Sequence, residues 1–285
     1  MSTAPPAGTL YVVPTPIGDD RDISLRALEV LRAVDIVAAE DTRHALTLFR
    51  AHGIDKPLHS YFDHNEERRA PWLVEKLREG QSVALISDAG TPLINDPGFR
   101  VVREALAAGI RLEVLPGPCA AVTALVASGL ATDAFLFAGF LPRAEGQREK
   151  RLQALAGVEA TLIFYEAPHR LVEMLTTAAA VLGERPAAVA INLTKAREEV
   201  LRGPLPALVR ELGGRERVGG EATVVIGGSS GGGGDRARAE AHARALLDAG
   251  LEPRRVRDLV VAAFAVPRRE AYDIVLGLAG GDEEE

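Results

Sequence analysis

Short apolar runs, many of them β-branched, punctuate the first 226 positions, and between them apolar residues recur at helical spacing. Leu10-Tyr11-Val12-Val13, Asp35–Ala39, Val83–Ile86 and Leu112–Leu115 predict strands. A helix is expected after Ser24, a suitable N-cap, with Leu25, Leu28 and Leu31 three apart. Further helices are expected near 70–79 and 98–108. Beyond Pro116-Gly117-Pro118 the alternation restarts: helix 120–128, strand 135–138, helix 148–156, strand 160–165, helix 168–182, then strands 187–193 and 222–226. Strands apolar on both faces, alternating with helices, predict parallel βαβ units covered on both sides. Two α/β domains, 8–116 and 117–226, are the simplest arrangement. The run 227–234, six Gly and two Ser, buries nothing and reads as a linker spanning roughly 15 Å. After it come a small helical module at 235–278, with helices at 235–249, 254–265 and 268–278, and an acidic tail at 279–285.

In sheets of this kind ligands collect beyond the carboxyl ends of the strands. Four turns there carry candidate chemistry. Pro14-Thr15-Pro16-Ile17-Gly18-Asp19-Asp20 is stiffened by two prolines, and Gly18 permits close approach. Glu40-Asp41-Thr42-Arg43-His44 supplies an N-cap in Asp41 or Thr42 for the next helix, and leaves Arg43 and His44 as candidates for an anionic substrate. Ser87-Asp88-Ala89-Gly90-Thr91-Pro92-Leu93-Ile94-Asn95-Asp96-Pro97-Gly98 exposes backbone through small residues and adds two carboxylates. It lacks the lysine of a phosphate loop, so a neutral or cationic ligand is expected; a helix cap at Asn95 or Asp96 would explain only its last part. Leu115-Pro116-Gly117-Pro118-Cys119-Ala120-Ala121 forms a rigid corner between the two halves, where Cys119 alone reads as packing.

Composition adds exclusions. With 47% apolar and 26% charged residues, disorder along the whole chain is excluded, and no run approaches the roughly 18 apolar residues of a membrane span. The N-terminal Met1–Pro6 stretch has no basic region followed by an apolar one, so a chain without a secretory signal, cytoplasmic by default, is expected. One cysteine rules out an internal disulfide, and the six histidines lack metal-ligand spacing, so no metal is expected. The net charge of −7 looks unfavourable to a nucleic-acid partner. That total, however, hides five arginines against one acid (Asp258) between Arg254 and Arg269, offset by the tail Asp282–Glu285.

The stretches LYVVPTPIG (10–18), AEDTRH (39–44), SDAGTPLINDPG (87–98), LPGPCAA (115–121) and LIFYEAPHR (162–170), in this order, resemble the tetrapyrrole methylase superfamily of S-adenosylmethionine-dependent methyltransferases. The likeness is greatest to the branch that 2′-O-methylates a cytidine in small-subunit (16S) ribosomal RNA. It implies two α/β domains of the tetrapyrrole methylase type with a cofactor cleft between them, here followed by a small helical C-terminal segment, and a homodimer. It places S-adenosylmethionine against Ile17, Gly18, Asp88, Ala89, Gly90, Thr91, Cys119, Ala120 and Tyr165. For the acceptor, 16S ribosomal RNA within the 30S subunit, Arg43, His169 and Arg170 are candidate backbone contacts, and Glu40 and Lys195 are candidate catalytic groups. Two departures stand out: Asp19-Asp20 where the family usually has Asn-Leu, and Ile191-Asn192 where it has Arg-Glu. The donor loops alone also suit methylation of a tetrapyrrole or other small molecule. A non-catalytic protein binding a nucleotide or phosphosugar is a further alternative.

Overall fold

Parallel strands covered by helices on both faces are apolar on both faces, and the first half of the chain has this arrangement in its central strands. In chain order it contains β1 (Thr9–Val12), α1 (Leu25–Ala33), β2 (Ile36–Ala39), α2 (Thr42–Ala51), β3 (Leu58–Ser60), α3 (Glu66–Arg78), β4 (Val83–Ile86), α4 (Phe99–Ala107) and β5 (Arg111–Val114). The sheet order is β3-β2-β4-β1-β5, all parallel. Alternate residues divide between two cores. Val37, Ala39, Ala84 and Ile86 meet α1 and α2, while Ile36, Ala38, Val83 and Leu85 meet α3 and α4. The computed structural model describes residues 8–229, 233–264, 266 and 268–279.

The second half contains α5 (Ala120–Ser128), β6 (Phe135–Phe140), α6 (Glu145–Leu155), β7 (Thr161–Glu166), α7 (Leu171–Leu182), β8 (Pro186–Ile191), β9 (Glu199–Pro204), α8 (Leu205–Gly213) and β10 (Ala222–Ile226). Its sheet, β6-β7-β10-β8-β9, corrects the expectation of parallel units throughout. Only β6 and β7 run parallel; β7–β10, β10–β8 and β8–β9 are antiparallel. Burial on both faces makes either direction read as the same apolar run, so strand polarity was not encoded locally. Helices α6, α7 and α8 cover one face; α5 covers the other, together with Ile17 reaching across from the first half.

Three elements lie outside the sequence expectations. β3 is only three residues long, β9 is a half-exposed edge strand carrying Glu199 and Arg202, and α8 follows directly from β9 behind Pro204. Helix α3 begins at Glu66, four residues before its expected start. Pro71 lies inside it, early enough that only the bond to the first turn is lost. Ser24 caps α1, accepting a bond from the Ala27 N–H, and Asp41 caps α2. Neither Asn95 nor Asp96 caps α4. Gly98 holds that position with φ +137°, where a side chain would collide with Leu85, and its N–H donates to Glu66 Oε1 at 2.8 Å.

The expected linker is shorter than 227–234. The Gly227 N–H donates to the Pro186 carbonyl (2.8 Å) and the Ser229 N–H to that of Val158 (2.7 Å), while Gly228 packs so close to Glu159 that a Cβ would overlap its carbonyl. Helix α9 (Gly233–Asp248) already includes Gly233 and Gly234, and residues 230–232 lie outside the described residues, as do Met1–Pro6 and the acidic tail from residue 280 onward. With α10 (Pro253–Phe264) and α11 (Arg268–Ala279), α9 encloses a separate small core around Ala239, Val256, Val260 and Ile274. Among the described residues no helix is long and apolar enough to cross a membrane.

One buried charge holds the outer layer of the second half. Arg148 on α6 is 1% exposed and donates to Thr177 Oγ1 (3.0 Å), the Arg143 carbonyl (3.1 Å) and Glu173 Oε1 (2.7 Å). Glu173 reaches solvent, so loss of the guanidinium does not strand a buried carboxylate. Replacement of Arg148 by Ala is expected to lower unfolding free energy by about 2 kcal/mol in urea titration, through lost packing and two orphaned acceptors.

Candidate active site

The four turns singled out in the sequence are joined by hydrogen bonds, two of them by backbone alone. Thr15 and Gly90 exchange N–H···O bonds of 2.9 and 3.1 Å, forming an isolated antiparallel bridge between the turns after β1 and β4. The Thr15 hydroxyl donates to the Ser87 carbonyl at 3.1 Å, and that of Thr91 to the Pro118 carbonyl at 2.8 Å. Gly90 needs its positive φ of 91° to make this bridge, and Gly117 lies so close to Pro14 that a Cβ would approach its ring to 2.5 Å. From this knot Ile17 inserts, 6% exposed, into the core beneath α5. Gly18 then passes the turn after β8, where a Cβ would lie 2.6 Å from both Lys195 Cγ and Thr194 Oγ1. The Asp19 N–H donates to Thr194 Oγ1 at 3.1 Å.

Two cavities flank this crossing. The first, about 380 Å³, lies between the halves. On its wall are Ile17, Ala89, Gly90, Thr91, Cys119, Ala120 and Tyr165, brought together from three turns and the end of β7. Tyr165 is fixed by accepting a bond from the Ala121 N–H (3.2 Å) and by edge contacts with Phe137 and Phe140; burial pushes its phenol pKa up. The wall also includes Asp96, one of the two carboxylates of the turn after β4, and Phe140 and Glu221, whose place there was not anticipated, and it has no lysine or arginine. The second cavity, about 370 Å³, is lined by Gly18, Asp20, His44, Asp88 and Lys195 among others. The two meet at Ile17, Ala89 and Glu221. Lys195 Nζ stands 2.8 Å from Glu221 Oε1 at that meeting point.

Carboxylates gather at the strand ends. Asp88 Oδ1 accepts from the Asp41 N–H at 2.9 Å, and Glu40 Oε2 lies 3.4 Å from the Asp88 N–H. Burial, then the charges of Asp96 and Asp88, push Glu40 up to about 7. Burial likewise raises Asp96 to about 6, against a hydrogen bond from Ser87 that favours its ionised form. Among the described residues no group of His, Cys, Asp and Glu is arranged to hold a metal ion.

The remaining candidates are dispersed. Glu40 lies on neither cavity wall. Arg43 is almost fully exposed and pairs with Asp41 at 2.6 Å, which holds the Asp41 carboxyl well below the usual range. His169 lies on a different groove of about 500 Å³, next to Arg217. Arg170 turns inward: it donates to the Leu141 and Pro142 carbonyls (2.9 and 3.3 Å) and stands 3.4 Å from the buried Glu166, so its guanidinium ties the turn after β7 to the end of β6. Burial raises the pKa of Glu166, which is fully enclosed. Glu221 is brought in by the pairing of β8 with β10, a long-range register with no local motif. Asn192 and Thr194 take left-handed backbone conformations there, and Asn192 Oδ1 accepts from the Glu221 N–H at 3.3 Å.

Residues 9–209 match the family described as Tetrapyrrole (Corrin/Porphyrin) Methylases. The chain is 52% identical over 271 residues to "Ribosomal RNA small subunit methyltransferase I" of Micromonospora olivasterospora, covering 94% of this chain and 87% of that one. It is 45% identical to the protein of the same name from Escherichia coli O157:H7, covering 96% of each. Among solved structures, uroporphyrin-III C-methyl transferase from Thermus thermophilus, complexed with S-adenyl homocysteine, shares the fold with a TM-score of 0.54 at 23% identity, over 77% of this chain and 97% of that one. With most of its length matched in sequence and its two sheets matched in fold, the chain belongs to the tetrapyrrole methylase family, in its ribosomal RNA small subunit methyltransferase I branch.

Proposed function

We propose that this chain transfers a methyl group from S-adenosylmethionine to the 2′-oxygen of a cytidine ribose in 16S ribosomal RNA within the 30S subunit, acting in the cytoplasm as a homodimer. The names of its relatives support an RNA methyltransferase. The observation that carries the reading is the pair of adjoining cavities, one suited to a cationic donor and one to a polar acceptor. The first has carboxylate and aromatic groups on its wall and no basic side chain, which fits a sulfonium and disfavours the phosphates of a nucleotide or phosphosugar. When bound there, S-adenosylmethionine supplies an electrophilic methyl carbon.

The protein's task is to orient the acceptor and handle its proton. A ribose hydroxyl is very weakly acidic, and positioning within about 3–3.5 Å of its target supplies much of the acceleration. Lys195, on the wall of the second cavity, is placed to stabilise negative charge growing on that oxygen, and Glu221 beside it is placed to receive the proton. Glu40, set back behind Asp88, acts as a positioning group. Asp88 and Gly18 serve the boundary between donor and acceptor, and Arg43 and His169 are surface contacts for the RNA backbone. Residues 8–116 and 117–226 act as the two domains that close the cleft. A second copy of the chain is supported by apolar side chains left exposed: Val114 on β5, Val122 and Val126 on α5, and Phe135 on β6.

The deciding experiment offers labelled S-adenosylmethionine with 30S subunits, free 16S RNA and a tetrapyrrole, followed by nuclease mapping of labelled RNA. Label in a 2′-O-methylated cytidine is expected, and label in the tetrapyrrole alone would overturn the reading. Lys195→Ala is expected to lower kcat about 100-fold with donor affinity unchanged, whereas Glu40→Gln, acting indirectly, lowers it less than tenfold. Donor affinity, measured by calorimetry, should rise as pH climbs through about 6, because Asp96 on the first cavity's wall then becomes ionised beside a cation. Asp96→Asn should remove that step. In sedimentation the protein is expected at twice the mass of one chain, and Val122→Lys with Val126→Asp should halve it.

A further inference from the structure

The three C-terminal helices contain a groove that the proposed chemistry does not use. It measures about 370 Å³ and lies between the first turn of α10 and the middle of α11, lined by Pro253, Arg254, Arg257, Tyr272, Val275 and Leu276. Its floor is apolar, with Leu276 56% exposed and the Tyr272 ring 52% exposed. Arg254 and Arg257 form its cationic rim. Arg257 and Arg268 converge on a single acid, Asp258, at 2.7 and 3.7 Å. Arg255 and Arg269, close by in the chain, are exposed. Between Arg254 and Arg269 five arginines thus stand against one acid, a local excess of positive charge on a chain whose total charge is −7.

An apolar, aromatic floor inside a cationic rim matches a nucleotide of a single strand or loop, whose base has an apolar face and whose backbone is anionic. An apolar helix from a protein partner would leave the arginines facing hydrocarbon, and an acidic peptide would leave the floor uncovered. We infer that the groove between α10 and α11 is a second RNA-binding site, in which Tyr272 stacks on an unpaired base while Arg254 and Arg257 hold the adjoining phosphates. This site is separate from the methyl-transfer cleft. It rests on the reading of the substrate as RNA, and it assigns the helical module the task of gripping that RNA away from the reacting ribose.

The test is filter binding of labelled 16S ribosomal RNA to the full-length protein at graded salt, without methyl donor, alongside methyl-transfer kinetics. Tyr272→Leu, which keeps an apolar side chain but removes the ring, should weaken RNA binding about tenfold, and Tyr272→Phe should stay within twofold of wild type. Arg254→Gln should weaken binding and lower the salt-dependence slope by about one. Affinity for S-adenosylmethionine and kcat at saturating RNA should not change. Binding by Tyr272→Leu and Arg254→Gln within twofold of wild type would overturn the site. So would equal losses in Tyr272→Phe and Tyr272→Leu, or displacement of the RNA by polyglutamate as effective as by RNA itself. Absence of methyl transfer to RNA by the wild type, with these binding losses intact, would instead overturn the cleft reading and leave this one standing.

Discussion

The reciprocal pair of backbone bonds between Thr15 and Gly90 is the constraint on which the site depends. It closes the turns after β1 and β4 onto each other, although β1 and β4 already lie side by side. Without it, the first turn would have no fixed exit direction. With it, Ile17 is aimed beyond the carboxyl ends of the first sheet's strands and into the core beneath α5. A single apolar side chain thereby anchors one half of the molecule in the other, and the backbone on both sides of it becomes cavity wall. The glycines here are needed for distance as much as for conformation: Gly18 and Gly117 each pass where a methyl group would not fit.

Charge is distributed around that knot with a consistent sense. Acidic groups occupy the ends of β2 and β4 and the start of β10, close to the cavities, while Arg43 is paired to a surface acid and Arg170 is tied to carbonyls away from both cavity walls. Burial of Glu40 and Asp96 near Asp88 keeps the group from being fully ionised in the empty protein. A cation arriving in the cleft would therefore meet a site whose charge adapts to it. The basic stretch at the C-terminal helices faces the opposite kind of ligand, so the chain separates its two electrostatic tasks in sequence as well as in space.

Legibility followed the range of the interactions. The strands of the first half could be read because burial on both faces leaves an unbroken apolar run, and the turns could be read because small residues and prolines cluster there. The antiparallel course of the second sheet could not, since Val224 and Phe164 look the same whichever way their strands run. Edge strand β9 was hidden by Glu199 and Arg202, which a central strand would not tolerate. In the site, residues sharing a turn were found by their motif. Glu221 was not, because it reaches Lys195 only through the register of β8 against β10. Arg170 is a candidate RNA contact by its sequence because nothing local reveals that Glu166, four residues earlier, is buried beneath it.

The docked residues Gly227 to Ser229 have a mechanical consequence. They continue β10, whose other end, Ala222 and Thr223, forms part of the first cavity's wall. β10 is hydrogen-bonded along its length to β7 on one side and β8 on the other. A pull applied beyond Ser229 would load both ladders in shear, and a slip of one residue would turn every buried side chain of the strand to the wrong face. The strand thus works as an anchor bolt: strain arising in the C-terminal helices is arrested at the sheet before it can deform the cleft.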